Sequence, residues 1–522
     1  MTTDVLAPLA IVEAPHYVHN PGGSTPLSGE LAFSTSTPAV ASIVISDGDR
    51  EWTVPAPGPA TSEHRIAILG MRPGRDHQIH IAAVGLDGST ADWQTALTVS
   101  TPELPADLPA LVTRIAKPER MEPGVSIFGI RKSAQQGDAK SYGYIVAVDE
   151  VGEVVWLRHC GHTVGDIKRL ANGNILYLTF DNRAIEIDML GRVQTQWAAT
   201  RRWPDAHAGE DFVPVDTDAF HHEILELPNG NLVTLGISVK TLDRYPSSET
   251  DPAAPKETAD VVGDEVVEFT RDGTVVGRWS LFDLLDPYRI GHMSLSGYWA
   301  MKGLPGSKDW THANAADYDP SDDSFIVSVR HLDAVIKFSR ATGELAWILG
   351  NHAGWNAPEK EHLLAPKGEF EWQYHQHNTN LTERGTVLMF DNGNFRVPAF
   401  ETPVAPPDSY SRAVEFEVDE QGRSVRQLWE FKGEYAAYIS GVRQLPETGN
   451  MFINFGGILT DEQGSPSQFP PTDMARVRMV EVTYDADAEI VFELTIDERG
   501  DNKGWDVYRA ERFAGLYPPS QG

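Results

Sequence analysis

DWTHANAADYDPSDDSFIVSVR, residues 309–330, decides how the rest of the chain is read. A polar lead carrying Asp309, His312 and Asn314 runs into a strand-like segment, a turn and a second apolar segment ending on Arg330. Apolar runs joined by so tight a turn spell a β-hairpin. The layout returns as FHHEILELPNGNLVTLG from Phe220 and as QHNTNLTERGTVLMFDNG from Gln376. In each copy a histidine stands ahead of the first apolar run. Copies without the histidine read IKRLANGNILYL from Ile167 and VRQLPETGNMFINF from Val442. A weaker one, LVTRIAKPERMEPGVSIFGI, starts at Leu111.

A second signature alternates with the first. It is an acidic or turn residue, then glycine, then a strand ending on an aromatic: Trp156, Trp197, Trp279, Trp347, Trp429 and, degenerately, Phe492. Together the signatures define six units of about 40 to 80 residues, nearly all strand and turn. One such unit cannot bury both faces of its own sheet, whereas a ring of them can. The expectation is an all-β fold with a six-bladed β-propeller over residues 111–522 and its site in the central channel. The terminal tryptophans are expected to pack between blades. VYRAERFAGLYPP, from Val507, is expected to supply the strand that closes the ring on the first blade. Short helices are expected near Leu281 and near Arg509.

Residues 1–101 have a different rhythm. ELAFSTS, ASIVISD, HRIAILGM, HQIHIAAVG and ALTVS alternate apolar and polar between Gly-rich turns. That spacing suggests an N-terminal β-sandwich resembling fibronectin type III or immunoglobulin modules. A Pro-rich linker, residues 102–110, would separate it from the propeller.

Composition bounds the partners. Hydrophobic residues at 41% and charged residues at 23% describe a globular protein. A net charge of −32 offers no basic surface for nucleic acid or an anionic membrane, so neither is expected as a partner. Cys160 is the single cysteine, which rules out an intrachain disulfide. The first residues show no basic n-region or long apolar h-region, and no stretch nears the roughly 18 apolar residues of a membrane span. A cytoplasmic location is the expectation that follows.

Aligning the units on their turns places Asp166, His222, His312, His377 and Ser440 at equivalent positions. The first strand of a propeller blade lines the channel, so His222, His312 and His377 are expected to converge on the axis with Asn314 and Arg330. His375 lies two residues before His377 and shares its face, while His221 should point away from His222. Asn392 and Arg396 belong to the turn after the His377 hairpin and are candidate substrate contacts, as are His221 and His375. His331 reads as surface or packing. GLPGSK from Gly303 misses phosphate-loop spacing.

At these residues the chain resembles a known family. DWTHAN, SVRH, WILG, QHNTN, MFDNGNFR, HHEILELPNGN and the VYRAER tail resemble, in order and spacing, the bacterial arylsulfate sulfotransferases. The resemblance implies a β-sandwich joined to a six-bladed propeller. It also implies transfer of a sulfuryl group from an aryl sulfate to a phenol, with no cofactor. It makes His377 the nucleophile, with His222, His312, Asn314 and Arg330 as its accompanying groups. The implied partners are a small aromatic sulfate ester and a phenol, with a homodimer as an assembly to test. Known members are exported and carry a disulfide, whereas no leader is read in these first residues and Cys160 has no second cysteine to pair with. Two other readings remain open. His222, His312 and His377 could hold a divalent metal for hydrolysis, elimination or oxidation. A propeller can also bind a partner without catalysis.

Overall fold

The computed structural model describes residues 8–55, 58–132, 142–468, 475–497 and 504–518. It is built almost wholly of strands, and six antiparallel sheets form the blades of a propeller. Their inner strands are Trp505–Phe513, Val164–Arg169, His221–Glu226, Ala313–Asp319, His377–Leu381 and Gly441–Gln444, for blades 1 to 6. Each inner strand leads outward through antiparallel neighbours in the order the repeats predict.

Both ends of the propeller sequence close the ring. The C-terminal strand Trp505–Phe513 pairs with Val125–Lys132 and becomes the inner strand of blade 1. At the other end, Val112–Ala116 pairs with Ile490–Ile496 on the outer edge of blade 6. The expected helix near Leu281 is present as Leu281–Leu284. The one expected near Arg509 is not, because Arg509 lies within the closing strand. Ring closure there outweighs the local helical preference of an Ala- and Arg-containing stretch.

The terminal tryptophans explain how the blades stay in register. Trp156 Nε1 donates to the Met189 carbonyl at 2.8 Å, Trp197 Nε1 to that of Arg271 at 2.9 Å, and Trp279 Nε1 to that of Arg340 at 3.1 Å. Trp347 reaches the Glu420 carboxylate at 2.9 Å and Trp429 the Asp485 carbonyl at 3.3 Å. Every acceptor lies in a turn of the next blade, so each indole fills an interblade seam and satisfies its N–H there. Phe492 has no N–H to place and sits buried in the seam with blade 1.

Residues 16–100 form one hydrogen-bonded sheet of seven strands. Gly29–Ser46 organises it: its first half pairs with His16–His19 and Thr61–Ile68, its second with Glu51–Val54 and Asp76–Gly85. Alternate residues Leu31, Phe33, Ala41, Ile43 and Ile45 point into a core of their own with Ile66, Ile68, Ile79 and Ile81. Ion pairs fasten this sheet to blade 1, including Arg50–Asp149 at 2.9 Å and Arg75–Glu153 at 3.0 Å. No helix among the described residues is long and apolar enough to cross a membrane.

Candidate active site

Inner strands of blades 2 to 5 each carry a register shift close to their first residue: Val164/Ile167, His221/Ile224, Ala313/Ala315 and His377/Asn380. These shifts are β-bulges, which bend a strand and re-aim one side chain. They also correct the alignment of the histidines. His377 is the last regular pair before its bulge, His222 lies inside its bulge, and His312 precedes its strand. The three are therefore not repeat-equivalent. They converge because His222 and His312 adopt left-handed backbone, φ 61° and 45°, which turns their side chains inward.

The rings form a connected group. His222 and His312 have centroids 4.9 Å apart, and His312 stacks on His331 at 4.6 Å and 20°. His312 Nδ1 lies 2.6 Å from Asp309 Oδ2, while Asp309 Oδ1 accepts from Trp299 Nε1 at 3.0 Å. His331, read as surface or packing, is buried, with Nδ1 2.7 Å from the Asp309 carbonyl. Tyr298 crosses His312 edge-on at 4.8 Å. His377 is near enough for its charge to bear on His222, and that of His312 to bear on His377.

His377 has one defined partner. Its Nδ1 lies 2.7 Å from Asn392 Oδ1. The Asn392 amide nitrogen donates to the carbonyls of Ala436 at 2.7 Å and Ile439 at 3.1 Å, which fixes the amide and leaves its oxygen facing the imidazole. His377 Nδ1 must then carry the proton, and the lone pair sits on Nε2, which has no hydrogen bond among the described residues. Burial, helped by the nearby Arg330 charge, holds His377 well below the usual histidine range, so the ring is neutral. Burial likewise depresses His222, His331 and His375, and pushes His221 down to about 3.

Arg330 is buried to 7% exposure, yet its side chain has no hydrogen bond or ion pair among the described residues, and Nε is enclosed without a partner. Burial lowers it to about 10, so it remains a cation at neutral pH. Asn314 is fully buried, and its Nδ2 donates to the Gln376 carbonyl at 2.8 Å, bracing the peptide that leads into His377.

Four expected contacts play other parts. Asn392 has its amide committed to His377 and to the carbonyls of Ala436 and Ile439, so the group it orients is the imidazole. His221 backs His222, with the two Nδ1 atoms 2.7 Å apart and Nε2 3.2 Å from the Gly236 carbonyl. His375 is fully buried and tied to Asp333 at 2.9 Å. Arg396 lies flat on Tyr410 at 3.8 Å and is held by Glu371 at 3.1 Å and the Tyr410 carbonyl at 2.6 Å. Of the alternative metal trio His222, His312 and His377, only His312 belongs to the grouping with metal-ligand spacing. Among the described residues that grouping is Asp309, His312 and His331, in which His312 Nδ1 bonds the Asp309 carboxylate and His331 Nδ1 the Asp309 carbonyl.

The channel below the histidines is closed by ions. Arg509 from the closing strand donates to Asp166 at 2.9 Å, to Glu223 at 2.6 Å and to the Asn314 carbonyl at 2.7 Å, joining blades 2, 3 and 4. Asp166, aligned in sequence with the histidines, belongs to this plug.

Sequence reasoning gave no role to Asp309, and it missed Tyr298, Trp299 and Tyr508. Asp309 stands three residues before His312 in the opening stretch, a usable signal. Tyr298 and Trp299 come from the insertion between blades 3 and 4, which no repeat covers.

A propeller whose channel holds neutral imidazoles beside an unpaired guanidinium can be compared with known proteins on its own terms. The chain belongs to the arylsulfotransferase (ASST) family, whose model matches residues 112–509. It is 28% identical over 317 residues to the arylsulfate sulfotransferase AssT of Escherichia coli O6:H1, covering 52% of this chain and 48% of that one. It is 26% identical over 328 residues to AssT of Lelliottia amnigena, covering 54% and 50%. The chain thus spans about half the length of the curated relatives it matches. The similarity also overturns the cytoplasmic expectation: the relatives named AssT are periplasmic arylsulfate sulfotransferases, and the first residues of a sequence do not decide where a protein works.

Proposed function

We propose that this protein moves a sulfuryl group from an aryl sulfate to a phenol through a covalent intermediate on His377. The observation that carries the reading is Arg330, a buried cation with no carboxylate in ion-pair reach among the described residues, beside the neutral His377 imidazole. Such a charge is costly to bury unless an anion completes it, and a sulfuryl group is an anion. A resident divalent cation next to it would be repelled.

In the first half-reaction the Nε2 lone pair of His377 attacks sulfur, the N–S bond forms and the S–O(aryl) bond breaks. Charge gathering on the sulfuryl oxygens faces the Arg330 guanidinium, whose fork matches two oxygens. Asp309 accepts from His312 Nδ1–H, so His312 enters this step doubly protonated, and its Nε2–H passes to the departing phenolate and leaves the ring neutral. In the second half the acceptor phenol returns a proton to His312, attacks sulfur and releases His377. Asn392 supports the cycle by stabilising Nδ1–H throughout. His222 lines the same space, within ring contact of His312.

The test is intact mass measurement after mixing with a chromogenic aryl sulfate. A sulfuryl adduct on the wild type, absent from a folded His377→Ala variant, supports the reading. Turnover that persists in His377→Ala, or that needs a metal added back after chelation, defeats it. The N-terminal seven-stranded unit we likewise propose to be a β-sandwich domain over residues 1–101, with 102–110 as linker and 111–522 as propeller. Its own core, and the start of blade 6 pairing at Val112, support that division.

A further inference from the structure

Sulfuryl transfer makes no use of an ammonium that stands near His222. Lys302, in the insertion between blades 3 and 4, places Nζ 5.7 Å from the centroid of the Phe180 ring. Nζ donates to the Phe180 carbonyl at 3.0 Å, its one hydrogen bond among the described residues, and no carboxylate there lies within ion-pair reach. Asp181, the acidic charge that bears on it, is bound by Arg183 at 2.6 Å. Burial and the charge of Arg131, 4.3 Å from the same ring, both depress the ammonium. Two half-buried guanidiniums, Arg169 and Arg289, likewise form no ion pair among the described residues. They differ in giving hydrogen bonds to the Leu516 and Leu332 carbonyls while lying against Phe513 and Trp355. A guanidinium is weakly hydrated and stacks on rings, whereas an ammonium is a compact, strongly hydrated charge with three donors to place. Lys302 has placed one.

Together with Asn182, His222, Tyr298 and Trp299, Lys302 lines a cavity of about 20 Å³. That is room for one water-sized particle. The lining offers donors. The Asn182 amide and the Tyr298 hydroxyl form no hydrogen bond among the described residues, while Trp299 Nε1 is given to Asp309 at 3.0 Å. A water in that place needs acceptors for its own hydrogens as well as donors, and the Phe180 carbonyl is already taken by Lys302. An anion needs donors alone. Size then selects the anion: a carboxylate, phosphate or sulfuryl group has several heavy atoms, whereas a chloride ion is little larger than a water. In a chain of net charge −32, an ammonium left open on a water-sized cavity is unexpected without an anion to meet it.

We propose that the cavity bounded by Lys302, Asn182 and Tyr298 is a halide site that takes chloride. With chloride in place Lys302 is neutralised, and an aryl sulfate meets Arg330 without a competing cation beside His222. That consequence rests on the sulfuryl-transfer reading; the site itself does not. Crystals of the full chain grown in sodium bromide test it directly, because bromide takes the place of chloride and scatters anomalously. An anomalous difference peak within hydrogen-bond reach of Lys302 Nζ is expected. In solution the urea midpoint should rise with chloride at constant ionic strength, gluconate making up the balance, since a ligand of the native state stabilises it. Lys302→Met and Lys302→Gln should each remove both the peak and the chloride dependence. A cavity without bromide, or a peak that persists in a folded Lys302 variant, overturns the proposal. So does a peak with no chloride dependence of the midpoint, which would be binding at crystal concentration only. A sulfuryl adduct on His377 with no halide bound would defeat this inference alone. A halide bound in a protein that forms no adduct would defeat the functional reading alone.

Discussion

Asn392 decides which nitrogen of His377 carries the lone pair, and that makes it the most informative single residue to change. Asn392→Ala removes the acceptor for Nδ1–H and frees the ring to protonate at Nε2, which is not nucleophilic. Turnover should fall about 10- to 100-fold, the worth of a buried hydrogen bond, with the adduct forming slowly but still on His377. Arg330→Lys tests the other half of the site. Lysine keeps the charge and loses the planar fork, so turnover should drop by about 10²–10³ while chelation changes nothing. A strong loss on chelation, with Arg330→Lys nearly silent, would move the site to metal chemistry. The same residues show what could be read beforehand. Convergence of His222, His312 and His377 was legible because hairpin repeats fix strand order. The job of Asn392 was not, since its partner lies across a turn and the geometry depends on two backbone carbonyls of blade 6.

Titration of the site adds a further expectation. His221, His222, His331, His375 and His377 all have folded-state values below their unfolded one. Below about 6.5 the unfolded chain binds protons at these rings that the folded chain refuses, so stability falls as pH drops through that range. Asp333, raised by burial to about 7, and Asp264, raised by burial to about 8, act in the opposite sense. They hold protons in the folded state that the unfolded chain has lost, so their contribution fades as pH rises toward 7 and 8. Urea unfolding across pH should therefore place maximum stability near neutrality, with a steeper acid limb because these five rings are joined there by others that burial holds low, among them His162 and His292. A flat acid limb would mean that the imidazoles are not buried neutral.

At the scale of elements, bulges and indoles divide the labour. The bulges near the inner-strand starts aim side chains into the channel, and they are the reason the predicted register slipped by one residue. A bulge adds a residue without changing the alternation on either side of it, so turn-based alignment cannot see it. The indoles hold the blades to one another, and their spacing was legible because each ends a repeat. Trp279→Phe keeps most of the ring in the seam between blades 3 and 4 but loses the bond to the Arg340 carbonyl. It should cost about 1 kcal/mol in chemical denaturation and leave turnover unchanged. A loss of activity without loss of stability would show that the seam also positions the His312 segment.

For the whole molecule the decisive contact is made by the last strand. Trp505–Phe513 completes blade 1, and from it Arg509 crosses the channel to carboxylates of blades 2 and 3 and a carbonyl of blade 4. One guanidinium thus joins four blades and floors the site, since the Asn314 peptide it holds is the one whose side chain braces the approach to His377. Arg509→Met leaves Asp166 and Glu223 buried with Lys168, 3.4 and 3.0 Å away, as the cation they still share. Breaking a buried ion network from one side costs about 3–5 kcal/mol, mostly from the charges left behind. Adding Asp166→Asn and Glu223→Gln removes those charges and should recover much of the loss. Activity need not return with stability, because the Asn314 carbonyl would still lack its donor. Denaturation and turnover measured on the single and triple variants separate the two roles. If the triple variant is no more stable than Arg509→Met, the network acts through packing. If it regains full turnover, the Arg509–Asn314 contact has no part in setting the site.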